Sequence, residues 1–238
     1  MGLLDYGTHG RVARVILNDN ENRFNPDFLN AFLDVLDEIE SQTETTTLVV
    51  TSAHEKIFCN GIDLEWLVPV IQQQDQGVAK RFFYQLNRLF KRLITYPLVT
   101  IAAISGHAFA GGAILCCAFD FRFMRLDRGF FCLPEVDLGI PFLPGMNALL
   151  RSVIPEQMLR RMELTGIRLT AETCRDLQII EQACPIEELM DTAMAFAGQI
   201  DKKRSIVSEM KRRLNRDILH AIEVEDVAYI ESGRFNIA

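Results

Sequence analysis

The stretch from residue 98 to residue 119 contains 22 residues without Asp, Glu, Lys or Arg, which is long enough to span a lipid bilayer. Three features argue against a membrane helix. Pro97 precedes the stretch, His107 lies near its middle, and Gly106 and the pair Gly111-Gly112 interrupt it. A buried strand and a buried helix that meet at a glycine turn explain the pattern better. The sequence therefore predicts a globular protein with no membrane-spanning segment.

The charge balance excludes several classes of function. The chain has 238 residues, of which 32 are Asp or Glu and 25 are Lys or Arg, and its net charge is -7. An acidic chain of this kind has no basic surface that would neutralise nucleic acid phosphates. The apolar share of 49% is too high for a disordered protein. We expect one large domain, or a domain with an appendage, and no nucleic acid partner.

The N-terminus and the cysteines indicate a reducing compartment. Residues 1–5 lack the basic and apolar regions of a secretory signal. The six cysteines have no C-x-x-C spacing, and Cys116 and Cys117 are adjacent in the sequence. Free thiols are therefore expected, with neither a disulfide framework nor a metal site.

Strands and helices alternate through the first part of the chain. β-Branched and apolar runs predict strands at 12–17, 47–52, 99–104 and 120–125, with a connection over 53–60. Helical spacing of apolar residues predicts helices over 26–41, from about 63, over 82–94 and over 112–119, and Asn25 is the expected N-cap of the first. From Pro144 onward only helices are predicted, over 146–154, 157–164, 170–177, 187–200, 205–214 and 218–230. The pattern is typical of an α/β fold with right-handed crossovers and a helical appendage at the C-terminus.

Two glycine turns lead into predicted helices. One contains Asn60 and Gly61, and the other contains Gly111 and Gly112. Each turn can present free backbone N–H groups at the positive end of a helix dipole, an arrangement that stabilises an oxyanion. Glycines that merely pack at tight turns would give the same pattern. No phosphate-loop or dinucleotide-binding glycine motif is present, so a nucleotide site is not predicted.

A third motif places carboxylates among apolar residues and prolines. Glu135 follows Pro134 directly, within a segment that runs from residue 133 to residue 141. A glutamate in an apolar pocket has a raised pKa and can move a proton near neutral pH. A surface-loop position or a structural ion pair for Glu135 explains the segment equally well.

These three motifs, in this order, resemble the enoyl-CoA hydratase/isomerase family, also called the crotonase superfamily, over the whole chain. The segments 23–27, 58–64 and 123–129 are most similar to the 3,2-enoyl-CoA isomerases of plant peroxisomes. The resemblance implies an α/β spiral of repeated ββα units over residues 1–186. It also implies a helical region over residues 187–238 that assembles a homotrimer or a dimer of trimers.

The resemblance also assigns roles to individual residues. The two backbone N–H groups that hold the thioester oxygen of an acyl-CoA match Asn60 and Gly111. Glu135 matches the second of the two glutamates of the family's hydratases, whereas the position of the first is Ile114. An isoleucine cannot take a proton or orient a water molecule. The resemblance therefore implies an isomerase that shifts the double bond of 3-enoyl-CoA to 2-enoyl-CoA, with Glu135 as the proton shuttle.

The same resemblance places the acyl-CoA substrate, and no separate cofactor is expected because coenzyme A is part of that substrate. Arg23 is a candidate to reach a CoA phosphate, although an exposed arginine without a ligand role fits the sequence as well. The substrate and CoA contacts are expected at Arg23, Phe24, Asn60, Gly61, Ile62, Asp63, Leu64 and Gly111.

Several alternatives remain open at this point. One is another CoA-thioester reaction on the same scaffold, such as hydration, decarboxylation, dehalogenation or hydrolysis. Another is a catalytically idle acyl-CoA-binding paralogue, because Ile114 is not a carboxylate, Ala110 replaces a usual glycine and Ser105 replaces a usual asparagine. Packing roles are favoured for His107 and Cys59.

The location is predicted from the end of the sequence. The plant relatives carry a C-terminal peroxisomal tripeptide, whereas this sequence ends Asn236-Ile237-Ala238. Either the protein is cytoplasmic, which is the expectation, or the terminus is incomplete. Fatty-acid oxidation is the expected setting.

Overall fold

The architecture comes from a computed structural model that describes residues 2–73 and 75–233. The strands are Leu4–His9 (β1), Val12–Leu17 (β2), Thr47–Ser52 (β3), Ile57–Cys59 (β4), Val99–Ile104 (β5), His107–Phe109 (β6), Phe121–Arg125 (β7), Phe131–Cys132 (β8), Arg168–Leu169 (β9) and Gln182–Cys184 (β10). The helices are Pro26–Gln42 (α1), Leu64–Gln72 (α2), Gln76–Ile94 (α3), Gly111–Cys117 (α4), Glu135–Leu138 (α5), Pro144–Val153 (α6), Glu156–Thr165 (α7), Ala171–Asp176 (α8), Ile186–Gly198 (α9), Arg204–Leu214 (α10), Arg216–His220 (α11) and Asp226–Ser232 (α12), with a π-helical turn at Ala221–Glu225.

Two sheets organise the described residues. The larger has the order β1-β2-β3-β5-β7-β10, and all of its pairs are parallel except β1 with β2. The smaller has the order β4-β6-β8-β9, and only its β8–β9 pair is antiparallel. The molecule is therefore an α/β fold in which most strands are joined by crossovers.

The larger sheet is covered on both faces, as continuous apolar strands require. Leu48 and Val50 of β3 belong to the main core, which includes α1 and α3. Val49, between them, points to a second cluster with Leu189 and Ala193 of α9. The alternation of side chains along a strand explains why all of β3 is buried.

A buried lysine and a half-buried arginine attach the C-terminal helices to this core. Lys211 of α10 donates to Asp120 Oδ2 at 2.8 Å and to the carbonyl of Leu98 at 3.3 Å. Arg204 donates to the backbone carbonyl oxygens of Glu40 and Thr43, near the end of α1. Lys211 and Arg204 therefore have structural partners within the chain.

Several elements were predictable from the sequence. The strands β2, β3 and β5 have the predicted bounds, and Asn25 caps α1 by accepting the N–H of Phe28 at 2.9 Å. The uncharged stretch divides into β5, β6 and α4. Within residues 2–73 and 75–233, no helix combines the length and the apolar character that a membrane crossing requires.

Three predictions about the elements are wrong. Strands do not disappear after Pro144, because β9 and β10 add to the two sheets. The expected connection over 53–60 contains β4, and the expected helix over 218–230 is interrupted by the π-helical turn. Most of the missed strands have two or three residues, which is too short to show a period. The six-residue strand β1 was also missed, because Leu4 is its one buried residue and no apolar run marks it. The terminal tripeptide lies outside the described residues.

Candidate active site

The two glycine turns pack backbone to backbone. Gly61 has a φ of +73°, and a Cβ atom at this position would fall on the backbone nitrogen of Gly111. A Cβ atom at Gly112 would fall on the carbonyl oxygen of Cys59. Only glycine permits both approaches, so these residues are required by the contact between the turns.

Hydrogen bonds to Phe24 hold the first turn in place. The N–H of Phe24 donates to the carbonyl of Gly61 at 2.7 Å, and the N–H of Asp63 donates to the carbonyl of Phe24 at 2.9 Å. The Asp63 side chain then caps α2 by accepting the N–H of Trp66 at 3.3 Å. The turn between β4 and α2 is thus bonded to Phe24 on both sides of Ile62.

The hydrogen bonds change the predicted oxyanion donor. The N–H of Asn60 donates to the carbonyl oxygen of Glu21 at 3.1 Å, so it is not free to hold a substrate oxygen in this structure. The N–H of Ile62 has no acceptor among the described residues, and the N–H of Gly111 belongs to the first turn of α4, where helix donors have no partner within the helix. Ile62 and Gly111 line the same pocket. The structure favours Ile62 in place of Asn60.

The pocket beside these donors is mainly apolar. Its charged side chain is Glu135, and no other described residue that lines it carries a carboxyl group. The lining residues are Asn60, Ile62, Leu64, Phe83, Ala110, Gly111, Ile114, Glu135, Leu138, Ile140, Pro141, Phe142, Leu143, Met146 and Tyr229. Such a pocket suits a substrate with an apolar chain and one reacting polar group.

Burial makes Glu135 a proton acceptor near neutral pH. The residue is 6% exposed, and its Oε2 atom has no hydrogen-bond partner among the described residues. Burial raises the pKa of Glu135 to about 8, its own backbone N–H opposes the rise, and the charge of Glu163 adds to it. Ile114 is buried in the same pocket at the position expected for a second carboxylate.

Cys59 and His107 have the predicted packing roles. Cys59 Sγ donates to the carbonyl of Asn22 at 3.0 Å, and burial raises the pKa of its thiol to about 12, so it stays protonated. His107 Nδ1 accepts the backbone N–H of Phe130 at 3.2 Å, and the His107 ring stacks on the Phe130 ring.

The predicted CoA contacts fall into two groups. Asn60, Ile62, Leu64 and Gly111 line the pocket, whereas Gly61 and Asp63 are not among its described lining residues. The Phe24 side chain is fully buried in the core and can offer a ligand only its backbone. Arg23 pairs with Glu21 at 2.6 Å and with Glu65 at 2.9 Å. A CoA phosphate would have to compete with both carboxylates for this guanidinium group.

Sequence comparison identifies the family. The sequence profile described as enoyl-CoA hydratase/isomerase matches residues 7–234. The chain belongs to this family. The protein is therefore an acyl-CoA enzyme of the enoyl-CoA hydratase/isomerase family.

Individual relatives include both isomerases and hydratases. The chain is 34% identical to enoyl-CoA delta isomerase 3 of Arabidopsis thaliana, over 71% of each chain. It is 35% identical to the peroxisomal enoyl-CoA delta isomerase 2 of the same plant, again over 71% of each chain. A short-chain-enoyl-CoA hydratase of Clostridium acetobutylicum is 28% identical over 93% of this chain and 86% of its own.

Solved structures of the family have the same fold. A family member from Pseudomonas syringae superposes with a TM-score of 0.86 at 23% identity, covering 96% of this chain and 97% of that chain. An enoyl-CoA hydratase from Bacillus halodurans gives a TM-score of 0.84 at 19% identity, covering 98% and 96%. At these identities the likeness shows the fold alone.

Ala110 should be a strained residue at the start of α4. Its φ of 53° and ψ of -128° lie in a region that glycine tolerates and alanine does not. We expect Ala110→Gly to raise the free energy of unfolding by about 1 kcal/mol, because the relieved strain exceeds the added flexibility of the unfolded chain. Urea unfolding at a fixed protein concentration measures this change. Ala113→Gly, inside the same helix and unstrained, should lower stability by about 1 kcal/mol, and a similar loss for Ala110→Gly would contradict the strain.

Proposed function

We propose that the protein is an isomerase that converts a 3-enoyl-CoA to a 2-enoyl-CoA. The observation that carries this proposal is a pocket whose described lining has one carboxyl group, that of Glu135. It also has two backbone N–H groups, those of Ile62 and Gly111, without a partner among the described residues. Moving a double bond needs one base that takes a proton and gives it back. The names of the Arabidopsis thaliana relatives support the same reaction.

The first step is removal of a proton from C2 of the substrate. The Glu135 carboxylate takes this proton, and the electrons of the broken C–H bond move toward the thioester oxygen. The N–H groups of Ile62 and Gly111 donate to that oxygen as its negative charge grows, and each such donor typically contributes about 3–4 kcal/mol to the transition state. The product of this step is a dienolate.

The second step returns the proton to C4. The electrons move back from the oxygen, the C4–H bond forms and the double bond settles between C2 and C3. Ile114 and the other apolar lining residues exclude water, which keeps the proton on Glu135 between the two steps. The reaction needs no cofactor, since coenzyme A is part of the substrate.

Hydration is the second candidate reaction, because a hydratase relative aligns over 93% of the chain. It requires a group that orients water opposite Glu135. Glu163 affects the pKa of Glu135, but it is not among the residues that line the pocket. Isomerisation is therefore the better supported of the two.

The pH dependence should follow Glu135. The reaction starts from the ionised carboxylate, and burial raises the pKa of this group to about 8. We expect kcat/KM to rise about tenfold per pH unit below pH 8 and to level off above it, measured through formation of the conjugated thioester.

Glu135→Gln should abolish turnover and leave acyl-CoA binding nearly unchanged. Asp137→Asn, an exposed change two residues away, is the matched control. Turnover by Glu135→Gln would contradict the mechanism.

We further propose that the protein assembles as a homotrimer or a dimer of trimers through its C-terminal helices. Ile206, Met210 and Leu214 lie at four-residue spacing on α10 and are 55%, 66% and 82% exposed. An apolar stripe of this kind is stable in water when another surface covers it.

Sedimentation velocity tests the assembly. The wild type should sediment as a trimer or hexamer, and Met210→Glu should shift it toward monomers because a charge would be buried in the interface. Arg212→Glu, on the polar side of the same helix, should leave the assembly intact. A monomeric wild type would contradict the proposal.

A further inference from the structure

Three helices that are distant in the sequence supply part of the pocket wall. Phe83 comes from α3, Met146 from α6 and Tyr229 from α12. None of the three side chains has a role in the proton transfer proposed above. They are available to contact the apolar acyl chain.

One buried carboxylate joins these three helices. Asp226 is the first residue of α12 and is 0% exposed. Its Oδ1 atom accepts the backbone N–H of Gly145 at 2.8 Å, and its Oδ2 atom accepts Nδ2 of Asn87 at 2.9 Å. Asp226 thus connects α12 to α6 and to α3.

Each of these contacts lies next to a residue of the pocket wall. Gly145 directly precedes Met146, Asn87 lies one helical turn after Phe83, and Asp226 lies one turn before Tyr229. A displacement of Asp226 would therefore be transmitted to all three wall residues.

The packing around Asp226 leaves little freedom. A Cβ atom at Gly145 would lie 2.5 Å from Cγ1 of Ile222 and 2.7 Å from Oδ2 of Asp226. The π-helical turn that contains Ile222 ends directly before Asp226, and such turns are frequent at functional sites. Burial raises the pKa of Asp226 to about 6, while the two donated hydrogen bonds oppose that rise. The buried charge is held because both of its oxygens have donors.

We propose that Asp226 is a positioning residue that fixes the acyl-chain wall of the pocket and thereby sets the preference for longer acyl chains. The inference rests on the proposed acyl-CoA function of the same pocket. A long chain contacts more of the wall than a short chain, and each methylene buried against a well-placed wall improves affinity about fourfold. A loosened wall should therefore weaken the binding of substrates with long acyl chains more than that of substrates with short ones.

The test compares two chain lengths in Asp226→Asn, which keeps the shape of the side chain and loses its charge. We expect KM to rise about tenfold for 3-dodecenoyl-CoA and less than twofold for 3-hexenoyl-CoA, with kcat within twofold of the wild type for both. Glu225→Gln, an exposed change at the adjacent residue, should alter neither KM. Equal losses for both chain lengths, or no loss for either, would overturn the proposal.

Binding supplies a readout that does not depend on turnover. Calorimetric titration with dodecanoyl-CoA and with butanoyl-CoA should show that Asp226→Asn loses affinity for the longer ligand only. That result in a protein without isomerase activity would reject the proposed reaction and keep the role of Asp226. Normal isomerisation with a uniform or absent binding effect would reject the role of Asp226 alone.

A second variant covers the case in which Asp226→Asn fails to fold. Asn87→Ala removes one donor to Asp226 and leaves the bond from Gly145 in place. It should weaken the binding of dodecanoyl-CoA about threefold and leave the affinity for butanoyl-CoA unchanged. A uniform or absent effect of this variant would also overturn the proposal.

Discussion

The close backbone contact between Gly61 and the first turn of α4 is the constraint on which the site depends. It brings the turn between β4 and α2 and the helix that follows β6 to one point, although they are distant in the sequence. The hydrogen bonds between Phe24 and residues 61 and 63 hold the loop at this distance. Because no side chain separates the two main chains at these glycines, the backbone N–H groups of Ile62 and Gly111 lie beside the same pocket.

The chemistry follows from what surrounds that contact. An apolar pocket raises the pKa of Glu135 and keeps its carboxyl group ready for proton transfer near neutral pH. The same environment strengthens the backbone donors, since a developing charge away from water has few other partners. In the proposed mechanism Ile114 cannot orient a water molecule, so the reaction is a proton transfer within the substrate.

The sequence predicts the parts of this molecule that have a long or repeated local signal. β2, β3 and β5 are runs of six residues rich in apolar and β-branched side chains, and α1 has both a cap and a clear period. The free donor at Ile62 is not predictable in this way. Adjacency to a glycine does not tell which N–H already donates to a distant part of the chain, as that of Asn60 does to Glu21. Asp226 and Tyr229 were missed for a related reason, since both lie more than ninety residues beyond Glu135. Only tertiary packing brings Tyr229 to the pocket and Asp226 to the helices behind its wall.

The most direct test of the isomerase mechanism uses one purified protein and two substrates. It follows formation of the conjugated thioester from a 3-enoyl-CoA, and hydration of a 2-enoyl-CoA, under the same conditions. We expect isomerisation without detectable hydration, because in the proposed mechanism Glu135 acts alone in a pocket that excludes water. Efficient hydration would contradict it, since another group would then have to replace the carboxylate absent at Ile114, and inactivity with both substrates would contradict it as well.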